Sequence, residues 1–352
     1  MTRTFITCLF LIAIMLTSCL NSEKYENASR FYLNDFKLIS KLNAATIEFD
    51  EPIMMPLSFV KSDSLLIVQN IRTNKLLYVY NMNTRKKVGE FISRGSGPDD
   101  LLNIKDMQLV DFDLFITDNL KRAIYKYDIA SFHALTDNII PTQRIAIDEY
   151  FFHLAYIGNG YVATAMNPDN KRLVFYNSNG KIEFTAGDYP YFGRELTNIE
   201  KMESFNNSFI AICQKHKRIY LFGMTTDLIE IYDFNGVLIK KLHGPEQIFP
   251  QVKEIRSSDG ASRISALEKS IFTFSRPQII DDEIYVAYSG ERYIIDEERV
   301  PIHHILVFDM DCKPLRRYEL SKSIVAFTVD SETKTIYATS NVPEYHIVVF
   351  EQ

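Results

Sequence analysis

Residues 229–242 read IEIYDFNGVLIKKL. Apolar and polar residues alternate as far as Tyr232, which is the register of a strand with one face buried, and the alternation resumes after Asn235-Gly236. An Asn-Gly pair between two such runs predicts a tight hairpin. The design returns as LLYVYNMNTRKKVGEF at 76–91, LVFYNSNGKIEF at 173–184 and ILVFDMDCKPLRRYEL at 305–320.

The aromatic followed by a polar residue serves as a ruler. Tyr80-Asn81, Tyr127-Asp128, Tyr176-Asn177, Tyr232-Asp233, Phe308-Asp309 and Phe350-Glu351 are spaced by 47, 49, 56, 76 and 42 residues, which makes six copies. A strand-like run precedes each pair: LLIVQN at 65, LFITDN at 114, YVATAM at 161, IYLFGM at 219, IYVAYS at 284 and IYATSN at 336. With an apolar stretch before it and a hairpin partner after the aromatic, each copy holds four strands in roughly 40–50 residues, the period of a propeller blade. The fold class is therefore all-β, a six-bladed β-propeller of four-stranded blades. The sixth copy stops after its third strand, HIVVFEQ, and would be left with an unpaired edge. LNAATIEFD at 42–50 has strand character and no other assignment, so an N-terminal strand is expected to close the ring.

FISRGSGPDDLLNIKDM at 91–107, followed by LFITDNLKRAIYKYDI, resembles the G-x-G-P-x-E/D stretch, strand and aromatic-Asp of TolB-like six-bladed propeller lipoproteins of Gram-negative gut bacteria. Gly95, Gly97, Pro98 and Asp99 match, with Asp where Glu is commoner. The resemblance covers nearly all of the chain beyond its leader. It implies a fold and a cellular address and no established activity.

The first residues, MTRTFITCLFLIAIMLTSC, have the layout of an export signal, with an early Arg3 and an apolar run too short to span a bilayer permanently. Leu16-Thr17-Ser18-Cys19 resembles a lipobox, which makes Cys19 the expected lipidation site. The expected organisation is a signal peptide at 1–18, a lipidated tether at 19–40 and the propeller at 41–352. Attachment to a membrane would run through the lipid alone. The expected address is the outer membrane, facing either the periplasm or the cell surface. Without residues 1–18 there remain 38 basic and 45 acidic side chains, a balance that disfavours nucleic acid as a partner. A monomer is expected. Cys213, on an inner strand, and Cys312, in an outer hairpin, are expected to stay unpaired, the first buried and the second exposed.

Because strand direction alternates, links between blades and links from second to third strands share one face. The long links all fall there: those into blades four and five, and the second-to-third link of blade five at 289–304. Long loops gathered on one side of a rigid scaffold suggest binding. A protein, peptide or glycan partner is expected on that face, with Arg94, Tyr191, Arg276, Arg292 and Tyr293 as candidate ligand contacts. The alternative is a propeller enzyme of the lyase, lactonase or hydrolase kind, with inner-strand residues converging at the channel mouth.

Motifs for catalysis are sparse. No G-x-S-x-G elbow or phosphate-binding Walker loop occurs. Neighbouring His303 and His304 point opposite ways in an extended chain. The acidic runs Asp281-Asp282-Glu283 and Asp296-Glu297-Glu298 lack the calcium-loop pattern. No catalytic residue, metal ligand or cofactor is assigned. Asn70, Asp118 and Asn119, at the ends of second strands, are expected either to satisfy turns or to rim the channel.

Overall fold

The computed structural model describes residues 24–133, 139–256, 262–265, 270–292 and 300–351. Cys19 and Tyr293 lie outside them. Six sheets follow one another in chain order, with first strands at Pro56–Ser62, Asp106–Val110, Phe151–Tyr156, Phe209–Cys213, Ile271–Ile280 and Ala326–Val329. These six inner strands line a common central cavity. In each blade the second, third and fourth strands follow outward in antiparallel register.

The ruler residues have a physical explanation. Tyr80, Tyr127, Tyr176, Tyr232, Phe308 and Phe350 are buried, packed in the clusters that join one blade to the next. In blades one, three, four and five the polar residue after the aromatic opens the outer hairpin. Asp233 Oδ1 accepts the amides of Asn235 and Val237, and Asn177 Oδ1 and Asp309 Oδ1 take the equivalent pairs in blades three and five. Side chains that mimic a backbone turn in this way are favoured at such positions. The turn at 233–236 is a four-residue loop with a bulge rather than a two-residue hairpin. Gly236 supplies the positive φ it needs, and a Cβ there would meet that of Ala186 at 2.2 Å.

Ala45–Ile47 pairs antiparallel with His346–Phe350 as the outer strand of blade six, closing the ring as the sequence predicts. The segment before it is also part of the propeller. Ala28–Arg30 adds a parallel fifth strand to blade four, and Leu38–Leu42 adds one to blade five. Residues 28–40, expected in a tether, thus lie along the rim of two blades. The reason is apolar burial: Tyr25, Phe31 and Phe36 are almost wholly covered, the latter two set edge-on against Phe308.

Cys213 and Cys312 are free thiols, as expected, but both are buried. Cys312 stands in a turn at positive φ, which directs its side chain into the core between blades four and five; burial raises its thiol pKa well above the ordinary value.

Candidate functional site

The central cavity encloses about 690 Å³. Its wall consists of inner strands and the turns that follow them, including Asp63, Asp111, Phe112 and Glu332, and no residue of the insertion-bearing links contributes to it. The cavity therefore opens on the face opposite the insertions. Parallel inner strands of neighbouring blades lie too far apart to share a ladder, and side chains bridge the gap. Gln108 accepts from the Tyr156 amide and donates to its carbonyl, and Gln278 does the same between the Val329 amide and the Phe327 carbonyl. Lys61 of blade one and Asp330 of blade six form an ion pair across the ring seam.

Three side chains converge on this cavity from three blades. Asp106 Oδ1 and His153 Nδ1 are 2.7 Å apart, and Asp106 Oδ2 accepts the Leu154 amide. The Thr117 and Thr164 hydroxyls accept the Asp106 and His153 amides, fixing both residues at the starts of their strands. Arg276 reaches the same region from blade five. It sits in a β-bulge between Ser275 and Gln278 with φ of 51°, a conformation that costs a residue with a side chain about 1 kcal/mol or more. Its guanidinium has no hydrogen bond or ion pair among the described residues.

The electrostatics agree with an unmet positive charge. Burial pulls the Arg276 guanidinium down to about 10, against the opposing attraction of Asp106. Burial also lowers Lys105, with Arg276 acting the same way. For Asp106 burial works upward, yet His153, Lys105 and the Leu154 amide hold its carboxyl below the ordinary range. His153 is lowered by burial and by the two cations, in spite of Asp106. Near neutral pH the group therefore comprises two cations, one carboxylate and a neutral imidazole, an excess of one positive charge.

The other sequence candidates scatter. Arg94 donates to the carbonyls of Leu102 and Ile71 and pins the glycine-rich loop, which Lys121 ties down further through Gly97 and Asp100. Tyr191 is exposed on the link into blade four, and Arg292 is exposed at the end of the second strand of blade five. Arg276 belongs to an inner strand and not to the link before it, so it faces the cavity and stands apart from the other candidates. Asn70, Asp118 and Asn119 are buried in turns and do not rim the cavity. Much of the insertion face is knitted together: Phe192, Phe205 and Phe249 from the two long links pack around Tyr25. Sequence inspection missed Asp106 and His153, which are 47 residues apart and meet only because their blades are neighbours.

Several solved structures are similar to this chain. A protein from Bacteroides fragilis NCTC 9343 described as exported superposes with a TM-score of 0.53 at 11% identity, over 92% of this chain and 98% of its own. The Cps50 (Swd1) β-propeller domain of Myceliophteria thermophila gives 0.48 at 6% identity, over 88% of this chain and 99% of its own. BamB from Moraxella catarrhalis gives 0.40 at 11% identity, over 85% and 84%. No curated protein matches the sequence. The TolB-like 6-blade propeller-like family matches residues 35–332, and the chain belongs to that TolB-like six-bladed propeller family.

Proposed function

We propose that this propeller binds a small zwitterionic ligand, of the amino-acid or short-peptide class, in its central cavity. The observation that carries this reading is the bulge-strained Arg276 guanidinium, which faces the cavity with no hydrogen bond or ion pair among the described residues and lies within electrostatic reach of Lys105. A carboxylate placed there gains charge-assisted bonds to the guanidinium. Asp63, Asp111 and Glu332 at the mouth supply the opposite sign for an ammonium group. The cavity volume lies within the roughly 300–1,000 Å³ of small-ligand sites. Calorimetric titration with free and C-amidated short peptides tests the reading. Binding of the free acids, weakened at least tenfold by amidation and by Arg276→Gln, supports it; equal binding of both forms by both proteins rules it out.

A second reading, catalysis, draws support from the Asp106–His153 pair, because a carboxylate on Nδ1 orients an imidazole to act as a general base through Nε2. Among the described residues no nucleophile is bonded to that ring. Hydrolysis or lyase activity lost in His153→Ala, with binding retained, would favour it. Partner binding on the insertion face draws support from the exposed Tyr191 and Arg292. Export and lipid attachment at Cys19 rest on the sequence of residues 1–19, and membrane fractionation of Cys19→Ala tests them.

A further inference from the structure

Away from the cavity walls, the hairpin face carries a group of mixed donors at the junction of blades four and five. Cys213 ends the inner strand of blade four, His216 lies in the turn after it, and Asp282 lies in the corresponding turn of blade five. One ligand atom from each, sulfur, imidazole nitrogen and carboxylate oxygen, fits within 4.8 Å of the others, and His216 Nε2 is 3.2 Å from Asp282 Oδ1.

The backbone holds these groups in place. Asp281 and Asp282 both have positive φ and join two paired strands, the two-residue turn that matches strand twist. Asp282 is therefore presented on a stiff hairpin. Cys213 is fixed by burial among the side chains between the blades, while His216 is exposed and Asp282 half-buried, its carboxylate shared between His216 and Lys215. Bond lengths of roughly 2.0–2.3 Å in a tetrahedral site put ligand atoms about 3.3–3.8 Å apart. The observed spread of up to 4.8 Å exceeds that range by about 1 Å, so binding requires a side-chain adjustment of that size.

We propose that Cys213, His216 and Asp282 bind a divalent transition metal ion, zinc being the best match, with the fourth position left to water. A thiolate, an imidazole and a carboxylate form the borderline donor set that zinc prefers over magnesium or calcium. Lys215 competes for the same carboxylate: its ammonium is paired with Asp282. Without a metal, the same residues are an ion-pair clasp between two turns, and that bland alternative gives different results below.

Cobalt(II) is the probe, because thiolate coordination produces a charge-transfer absorption that nitrogen and oxygen ligands do not. The expected result is a band that saturates at one cobalt per chain, disappears in Cys213→Ser and persists in Cys312→Ser. His216→Ala, at an exposed position, and Asp282→Asn, at a half-buried turn, are expected to keep the fold by circular dichroism, and each is expected to weaken cobalt binding at least tenfold. Lys215→Ala is expected to strengthen it. Zinc should displace the cobalt. The proposal is overturned if the parent shows no thiolate band, if the band survives Cys213→Ser, or if folded His216→Ala binds cobalt as the parent does.

Discussion

Arg172, at the start of the third strand of blade three, donates from Nε to Glu230 of blade four across 2.9 Å, with neither side chain open to solvent. The Ser208 hydroxyl accepts from its Nη2, and the Tyr232 hydroxyl donates to the other oxygen of Glu230. Nη1 is buried without a partner. A charge pair this deep costs much of its Coulomb gain in lost hydration, so its effect shows when one half is removed. Arg172→Ala is expected to lower stability by about 3–5 kcal/mol in urea unfolding, while Arg172→Met with Glu230→Leu recovers most of that loss. A single variant as stable as the parent would show that the carboxylate finds another partner.

Arg276 should behave in the opposite sense. Arg276→Gly removes the strained φ, so stability is expected to rise by about 1 kcal/mol. The same change should abolish ligand binding, since the anchor is lost. Thermal unfolding and calorimetry on one sample read both effects. A Gly variant less stable than the parent would mean that the bulge is held by contacts of the arginine stem.

Acid should weaken the fold in two windows. His153 has a folded pKa below that of the unfolded chain, so below about pH 6.5 the unfolded state takes up the proton first and stability falls with pH. His153→Gln is expected to flatten that part of the profile. Asp330 is lowered to about 2: burial opposes the shift, and Lys61 and the Thr333 amide and hydroxyl drive it. Its contribution is present above about pH 4 and is lost as pH falls toward 2. Asp330→Asn should flatten this lower window and leave the upper one unchanged.

Phe36→Ala tests whether the N-terminal segment is structural. Its ring is buried against Phe308, with centroids 5.2 Å apart, and truncating such a ring typically removes about 3–5 kcal/mol. The expected outcome is a loss of that order in chemical denaturation. A tether hanging free of the propeller would show no change.

The blades were legible in the sequence because the aromatic-polar pair reports two local requirements at once, a ring packed between blades and a side chain capping the next turn. Tyr232 and Asp233 meet both, and so do Tyr176 and Asn177. Closure by residues 45–47 was legible from the missing edge partner. The parallel strands at 28–30 and 38–42 were not, because three to five residues carry no period of their own and are fixed by neighbours over 200 residues away. The cavity group was hidden for a related reason. Asp106, His153 and Arg276 come from three blades, and Arg276 faces the cavity through a bulge that alternation does not foretell.

The path of the N-terminal segment sets an orientation. The amide of Glu26 bonds to the carbonyl of Tyr191, so the chain joins the body beside the link into blade four. Four residues lie between Cys19 and Lys24, and the five steps from one to the other reach only about 17 Å even fully extended. If Cys19 carries a lipid, the insertion side is held against the headgroups like the base of a cup, with Tyr191 and Arg292 turned toward the bilayer. The open mouth with Asp63, Asp111 and Glu332 would then look away from the membrane, where solutes arrive by free diffusion.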